Sequence, residues 1–202
     1  MRKMTQGSIA RHLIAYALPL ILGNLFQLTY NAVDSIVIGK FAGENALAAV
    51  SAANPVMTIM ILGVSGVSIG ASVLMSRFYG AGDDAGMRRT YGLMTVGTQA
   101  ASLLFMLAAL LFPEGIVRLF SPDEQVVALG SSYLRIIAVS YPFLALTRGG
   151  GTLLQSTGRV MIPFVGSLIS VAVNIVLNAL LIFGLCGFPA LGVQGAAIAS
   201  LV

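Results

Sequence analysis

The chain has 202 residues, of which 57% are hydrophobic and only 9% charged. Soluble domains carry about 25% charged residues, so this composition excludes a soluble globular protein and identifies an integral membrane protein. The net charge of +4 comes with no stretch where Lys or Arg interleaves with aromatics, which excludes a nucleic-acid groove.

In chain order, residues 1–12 form a basic tail predicted to be cytoplasmic. The first spanning helix is expected at 13–38, where 26 residues contain a single charge, Asp34. A cleavable signal is excluded, because its apolar run would be only about 7–15 residues long. A carboxylate at lipid depth costs at least a few kcal/mol, so Asp34 is a functional candidate. Gln27, Tyr30 and Asn31 precede it by seven, four and three positions and share its helical face, with Asn24 near the edge. A polar stripe of this kind is expected to line a protein interior or a hydrated cavity.

A second helix is expected at 46–76, within a run of 31 residues free of charge that includes Pro55. Pro55 predicts a kink or tilt, and Gly66 and Gly70 form a GxxxG pair suited to close helix packing. After a charged inner loop, 77–89, a third helix is expected at 90–112 and an outer loop around 113–125. The fourth helix, 126–150, contains one charge, Arg135, and a fifth is expected at 160–186. Helix 5 carries a second polar stripe, Ser167, Ser170, Asn174 and Asn178, spaced three, four and four. Inter-helix hydrogen bonding explains such a stripe at roughly 1 kcal/mol per bond, and a cation or proton site shared with Asp34 is the alternative. Gly187-Phe188-Pro189 breaks the last apolar run, and a sixth helix begins at about 191. It reaches only 202, ending in Ala-Ile-Ala-Ser-Leu-Val, so the sequence reads as a fragment ending inside a helix.

With the N-terminus inside, eight basic residues lie on the inner side and three on the outer, in line with the positive-inside rule. Gly63-Val64-Ser65-Gly66 matches the pattern around an intramembrane serine nucleophile, but the single histidine, His12, lies before helix 1 and supplies no buried base. The lone Cys186 gives neither a disulfide nor a cysteine metal site. No enzymatic motif and no cofactor site is expected.

The segments Pro19…Asn31-Ala-Val-Asp34-Ser-Ile-Val-Ile-Gly39…Ala-Leu-Ala-Ala-Val-Ser and Asn54-Pro55 resemble the first two helices of the multidrug and toxic compound extrusion (MATE) transporters. Gly70–Asp83, Gln155-Ser-Thr-Gly158-Arg159 before Pro163, Asn174-Ile-Val-Leu-Asn178 and Gly192–Ser200 resemble the later helices in order and spacing. The resemblance implies an all-α polytopic protein with two six-helix lobes, of which residues 13–202 would be the N-terminal lobe, with its sixth helix incomplete. It implies an antiporter of the cytoplasmic membrane that exports organic, often cationic, compounds as H⁺ or Na⁺ enters, by alternating access. Its partners would be the substrate, the bilayer and a C-terminal lobe. The family's coupling positions fall on Asp34, Asn174, Asn178 and Ser200, with Asn24, Gln27, Tyr30, Asn31 and Ser170 as cavity-lining candidates. Many relatives have aspartate where this chain has Asn178. One carboxylate instead of two halves the formal charge of the site and removes a like-charge neighbour, leaving at most a weak Na⁺ site at Asp34, Asn174 and Asn178 and no other metal. A lipid-linked saccharide flippase of the same superfamily and a non-transporting membrane scaffold are the alternatives.

Overall fold

A computed structural model of the protein describes residues 9–37, 39–40, 43–183, 195 and 198. Among these residues seven helices follow in order: α1 (Ile9–Val37), α2 (Glu44–Ala81), α3 (Asp84–Leu111), α4 (Pro113–Arg118), α5 (Glu124–Ala138), α6 (Tyr141–Ser156) and α7 (Met161–Phe183). Among the described residues the fold is all-α, as the sequence predicts. Predicted helices 1, 2, 3 and 5 correspond to α1, α2, α3 and α7. The sixth lies outside the described residues except for Gly195 and Ile198, both helical.

Among the described residues, three stretches are long and apolar enough to cross a membrane alone: α2, α3 and Met161–Asn178 of α7. Within α1, Leu13–Thr29 is a shorter apolar stretch. Predicted helix 4 is two helices rather than one. α5 and α6 meet at Val139 and Ser140 with a bend of 48° and together pass as a single broken span. Pro142 causes the break, because it has no N–H to donate to the preceding turn. The chain tightens there through Val139 N–H to Ile136 O and Ser140 N–H to Ile137 O. The amide of Gln99 on α3 donates to the Pro142 carbonyl at 3.1 Å, which holds the elbow against α3.

The predicted inner loop 77–89 is mostly helix. α2 continues to Ala81 and α3 starts at Asp84, so only Gly82 and Asp83 turn the chain. Gly82 adopts the left-handed conformation (φ 73°) and its N–H caps the carbonyls of Phe78 and Tyr79. Asp83 then caps α3 by accepting from Gly86 N–H at 2.8 Å. Pro55 does not interrupt α2, which is continuous over 38 residues. Among the described residues, no helix packs against the GxxxG pair. Gly63, Gly66 and Gly70 are exposed, and a Cβ on any of them would meet nothing within 4 Å. The close approach is elsewhere, at Gly130 of α5, where a Cβ would come within 3.2 Å of the Ala49 carbonyl of α2.

The packed core joins α2 to α6. α2 buries Ala46, Ala49, Ala53, Val56, Met60 and Val64, a 3–4 spacing that forms one helical face. Across it lie Leu134, Ile137, Tyr141 and Ala145 of α5 and α6, with Val117 of α4 and Ala109 of α3 closing the cluster. α1 stands outside this body and packs chiefly on α7.

Candidate functional site

Two contacts place α1, one against the end of α6 and one against α7. Near the start of α1, the Tyr16 hydroxyl donates to the Gln155 carbonyl in the last turn of α6 at 3.2 Å. Further along, a Cβ on Gly23 would lie 3.4 Å from Phe164 Cδ2 and 3.9 Å from Ser167 Oγ. Both contacts advance in the same direction, so the helices run parallel. Eleven residues on from Gly23 is position 34, and eleven on from Ser167 is position 178. On an ideal helix eleven residues climb about 16 Å and return to within about 20° of the starting face. For straight helices that climb from Gly23 and from Ser167 ends at positions 34 and 178.

Asn174 and Asn178 are both buried, one turn apart on α7. The Asn178 amide Nδ2 donates to Asn174 Oδ1 at 2.7 Å, which fixes the orientation of both side chains. On the way to them, Ser167 is half-buried and donates to the Phe164 carbonyl at 2.8 Å, while Ser170 is exposed. The predicted stripe on α7 is therefore buried only at its far end.

On α1, Asn24, Gln27 and Asn31 are exposed. Gln27 Nε2 donates to Asn31 Oδ1 at 3.4 Å, and the Asn31 carbonyl accepts from Ser35 Oγ at 2.9 Å. Tyr30 and Asp34 lie in the last two turns of α1. Ser200 lies outside the described residues. The structure thus pairs Asn174 with Asn178 and Gln27 with Asn31. No cluster of three or more metal-ligating side chains occurs among the described residues.

Sequence reasoning missed a second polar region near the start of α1, a cavity where α1, α2 and the α6–α7 turn meet. Its signal was present as Ser72 and Ser76, one turn apart on a helix otherwise read only for its glycines. Gln99 was also missed, since its target, the Pro142 carbonyl, exists only because the predicted helix breaks.

The MatE family model matches residues 19–180 of this chain, reaching from the middle of α1 past both asparagines. The chain belongs to the MATE family. It is 30% identical over its whole length to a probable multidrug resistance protein, YoeA, of Bacillus subtilis (strain 168), covering 43% of that protein. It is 29% identical over 98% of its length to the multidrug export protein MepA of Staphylococcus aureus (strain bovine RF122 / ET3-1), again covering 43%. The fold superposes on that of the MATE multidrug transporter DinF-BH with a TM-score of 0.87 and 24% identity, over 100% of this chain and 45% of that one. The chain therefore spans a little under half the length of the relatives it matches. MATE proteins are membrane transporters, and the apolar helices of this chain agree with that class.

Proposed function

We propose that this MATE chain is the N-terminal lobe of a secondary exporter in the cytoplasmic membrane, with its N-terminus on the inner side. Organic, often cationic, compounds leave as H⁺ or Na⁺ enters, and the lobe rocks against a second six-helix lobe between inward- and outward-open states. The relatives' names as multidrug export proteins support the substrate class. Their greater length supports the second lobe.

The observation that supports the coupling role is the buried, hydrogen-bonded Asn174–Asn178 pair on α7. Buried polar side chains in a spanning helix are costly unless bonded, and at lipid depth they mark ion and proton paths. Asp34 takes up the coupling ion. Asn174, Asn178 and Ser200 respond to its change of charge, and Asn24, Gln27, Tyr30, Asn31 and Ser170 line the route. With one carboxylate at the site, a proton is the better-matched ion, because its binding neutralises Asp34 fully.

The test is dye export from membrane vesicles containing the protein as its gene encodes it, with an imposed proton gradient and no sodium. Wild type exports, and Asp34→Asn, present in equal amount, does not. Equal export by Asp34→Asn would leave Asp34 a structural residue and overturn the coupling role.

A further inference from the structure

The cavity near the start of α1 has a volume of about 280 Å³. α1 contributes Tyr16 and α2 contributes Ser72, Val73 and Ser76. The end of α6 and its turn contribute Gln155, Ser156 and Gly158. Among the described residues, no charged side chain lines it. The hydroxyl protons are already engaged. Ser72 donates to the Ile69 carbonyl at 2.7 Å, Ser76 to Val73 at 3.0 Å, Ser156 to Thr152 at 2.8 Å and Tyr16 to Gln155 at 3.2 Å. These groups therefore offer the cavity oxygen lone pairs rather than protons. The side chain of Gln155 adds an amide carbonyl acceptor together with an N–H₂ donor. A wall in which acceptors predominate suits a ligand that is all donor, and a primary ammonium has three N–H donors and no acceptor. The Tyr16 ring is a further favourable surface for such a cation.

The surrounding charge asks for the opposite sign. Arg77 and Arg159 directly follow Ser76 and Gly158 in the chain, and both are exposed. The one ion pair among the described residues joins Arg118 to Glu124, so neither arginine has a carboxylate partner there. Two guanidinium groups repel a lone ammonium but bind phosphate well, through their planar forks. A ligand with an ammonium a few bonds from a phosphate satisfies the wall and the rim together.

Depth identifies what carries this group. The charge-free run of α2 ends at Ser76, so the cavity sits at the boundary between hydrocarbon and water. Val73 lines it, and one turn deeper on the same side is Ile69, followed by Leu62, each 66% exposed. This is an apolar track leading from the cavity into the bilayer.

We propose that this cavity binds the headgroup of phosphatidylethanolamine from the leaflet on the arginine-bearing side. The ammonium enters among the oxygens of Tyr16, Ser72, Ser76, Ser156 and Gln155. The phosphate rests on Arg77 and Arg159, and an acyl chain follows Ile69 and Leu62. The proposal is independent of the coupling role of Asp34.

The test is lipid retention by the purified protein, measured by native mass spectrometry. It compares dioleoyl phosphatidylethanolamine with dioleoyl phosphatidylcholine, whose three N-methyl groups remove every N–H donor. Wild type prefers the ethanolamine lipid by about tenfold, the effect of one charge-assisted hydrogen bond. Ser72→Val/Ser76→Val, which exchanges oxygens for methyls, reduces the preference to within about twofold. Arg77→Gln/Arg159→Gln weakens both lipids together and leaves their ratio unchanged. Tyr16→Phe, which keeps the ring and loses the oxygen, also reduces the ratio and serves should the double serine variant fail to fold. Equal retention of the two lipids by wild type overturns the proposal, as does an undiminished ratio in the folded serine or Tyr16→Phe variants. Displacement of the lipid by free phosphoethanolamine at equal concentration would overturn the membrane source and assign the site to a soluble aminophosphate.

Discussion

The body formed by α2 to α6 and the pair formed by α1 and α7 are built on different terms. In the body, helices approach through small residues and bury a continuous apolar stripe, so that Ala49, Leu134, Ala138 and Tyr141 are fully enclosed. In the pair, α1 exposes Leu13, Leu18, Leu25 and Phe26 and is placed by a few contacts, Tyr16 with Gln155 and Gly23 with α7. Yet the residues proposed for ion coupling lie in the pair. Among the described residues the body thus encloses its apolar side chains, whereas the pair that carries the proposed coupling residues leaves many exposed.

The sharpest way to break this contrast is to remove matched side chains. Leu134→Ala, at a position 0% exposed, should cost about 2–5 kcal/mol, seen as a large fall in the thermal unfolding midpoint of purified protein. Leu18→Ala, at a position 52% exposed, should leave that midpoint within experimental error. Equal losses would show that α1 is as tightly built in as α5.

Gly23→Leu comes next. Its added atoms meet Phe164 and Ser167, so α1 should be pushed from α7 at a cost of about 1–3 kcal/mol. Protease accessibility or hydrogen exchange should rise along α1 and stay unchanged in α5.

Asn178→Leu removes the bond to Asn174. Stability should fall by only about 1 kcal/mol, while gradient-driven dye export is lost. Export at the wild-type rate would reduce the asparagine pair to packing. Smallest of all is Arg118→Ala. Its ion pair with Glu124, at 3.0 Å, is exposed on both sides, so the unfolding free energy should change by less than about 0.5 kcal/mol.

Helix order was legible because hydrocarbon demands long charge-free runs, although α4 lies in the predicted outer loop and predicted helix 4 is α5 and α6; Asp34, Asn174 and Asn178 stood out against that background. Polarity alone could not say which of the stripe's members would be enclosed. Asn174 and Asn178 are buried and Ser170 is not, since that depends on which neighbour covers each turn of α7. The elbow after α5 was signalled by Pro142, but a charge-based search sees an unbroken apolar run through it. Conversely Pro55 signalled a disturbance, and α2 passes through it as a continuous helix. The Gly66–Gly70 spacing promised a helix partner that no described helix supplies, whereas Gly130, with no motif around it, is where α5 comes up against the Ala49 carbonyl of α2. The cavity beside Tyr16 joins residues separated by 139 positions, a juxtaposition no local pattern encodes.

That same separation bears on how the protein is made. Gly82 and Asp83 turn α2 straight into α3, so those two can leave the ribosome and enter the bilayer as a hairpin. Gln155 is synthesised 139 residues after Tyr16, roughly 7–28 s later at about 5–20 residues per second. During that interval α1 waits in the membrane with its polar face uncovered by α7. The first helix is therefore made well before the α7 surface that Gly23 packs against.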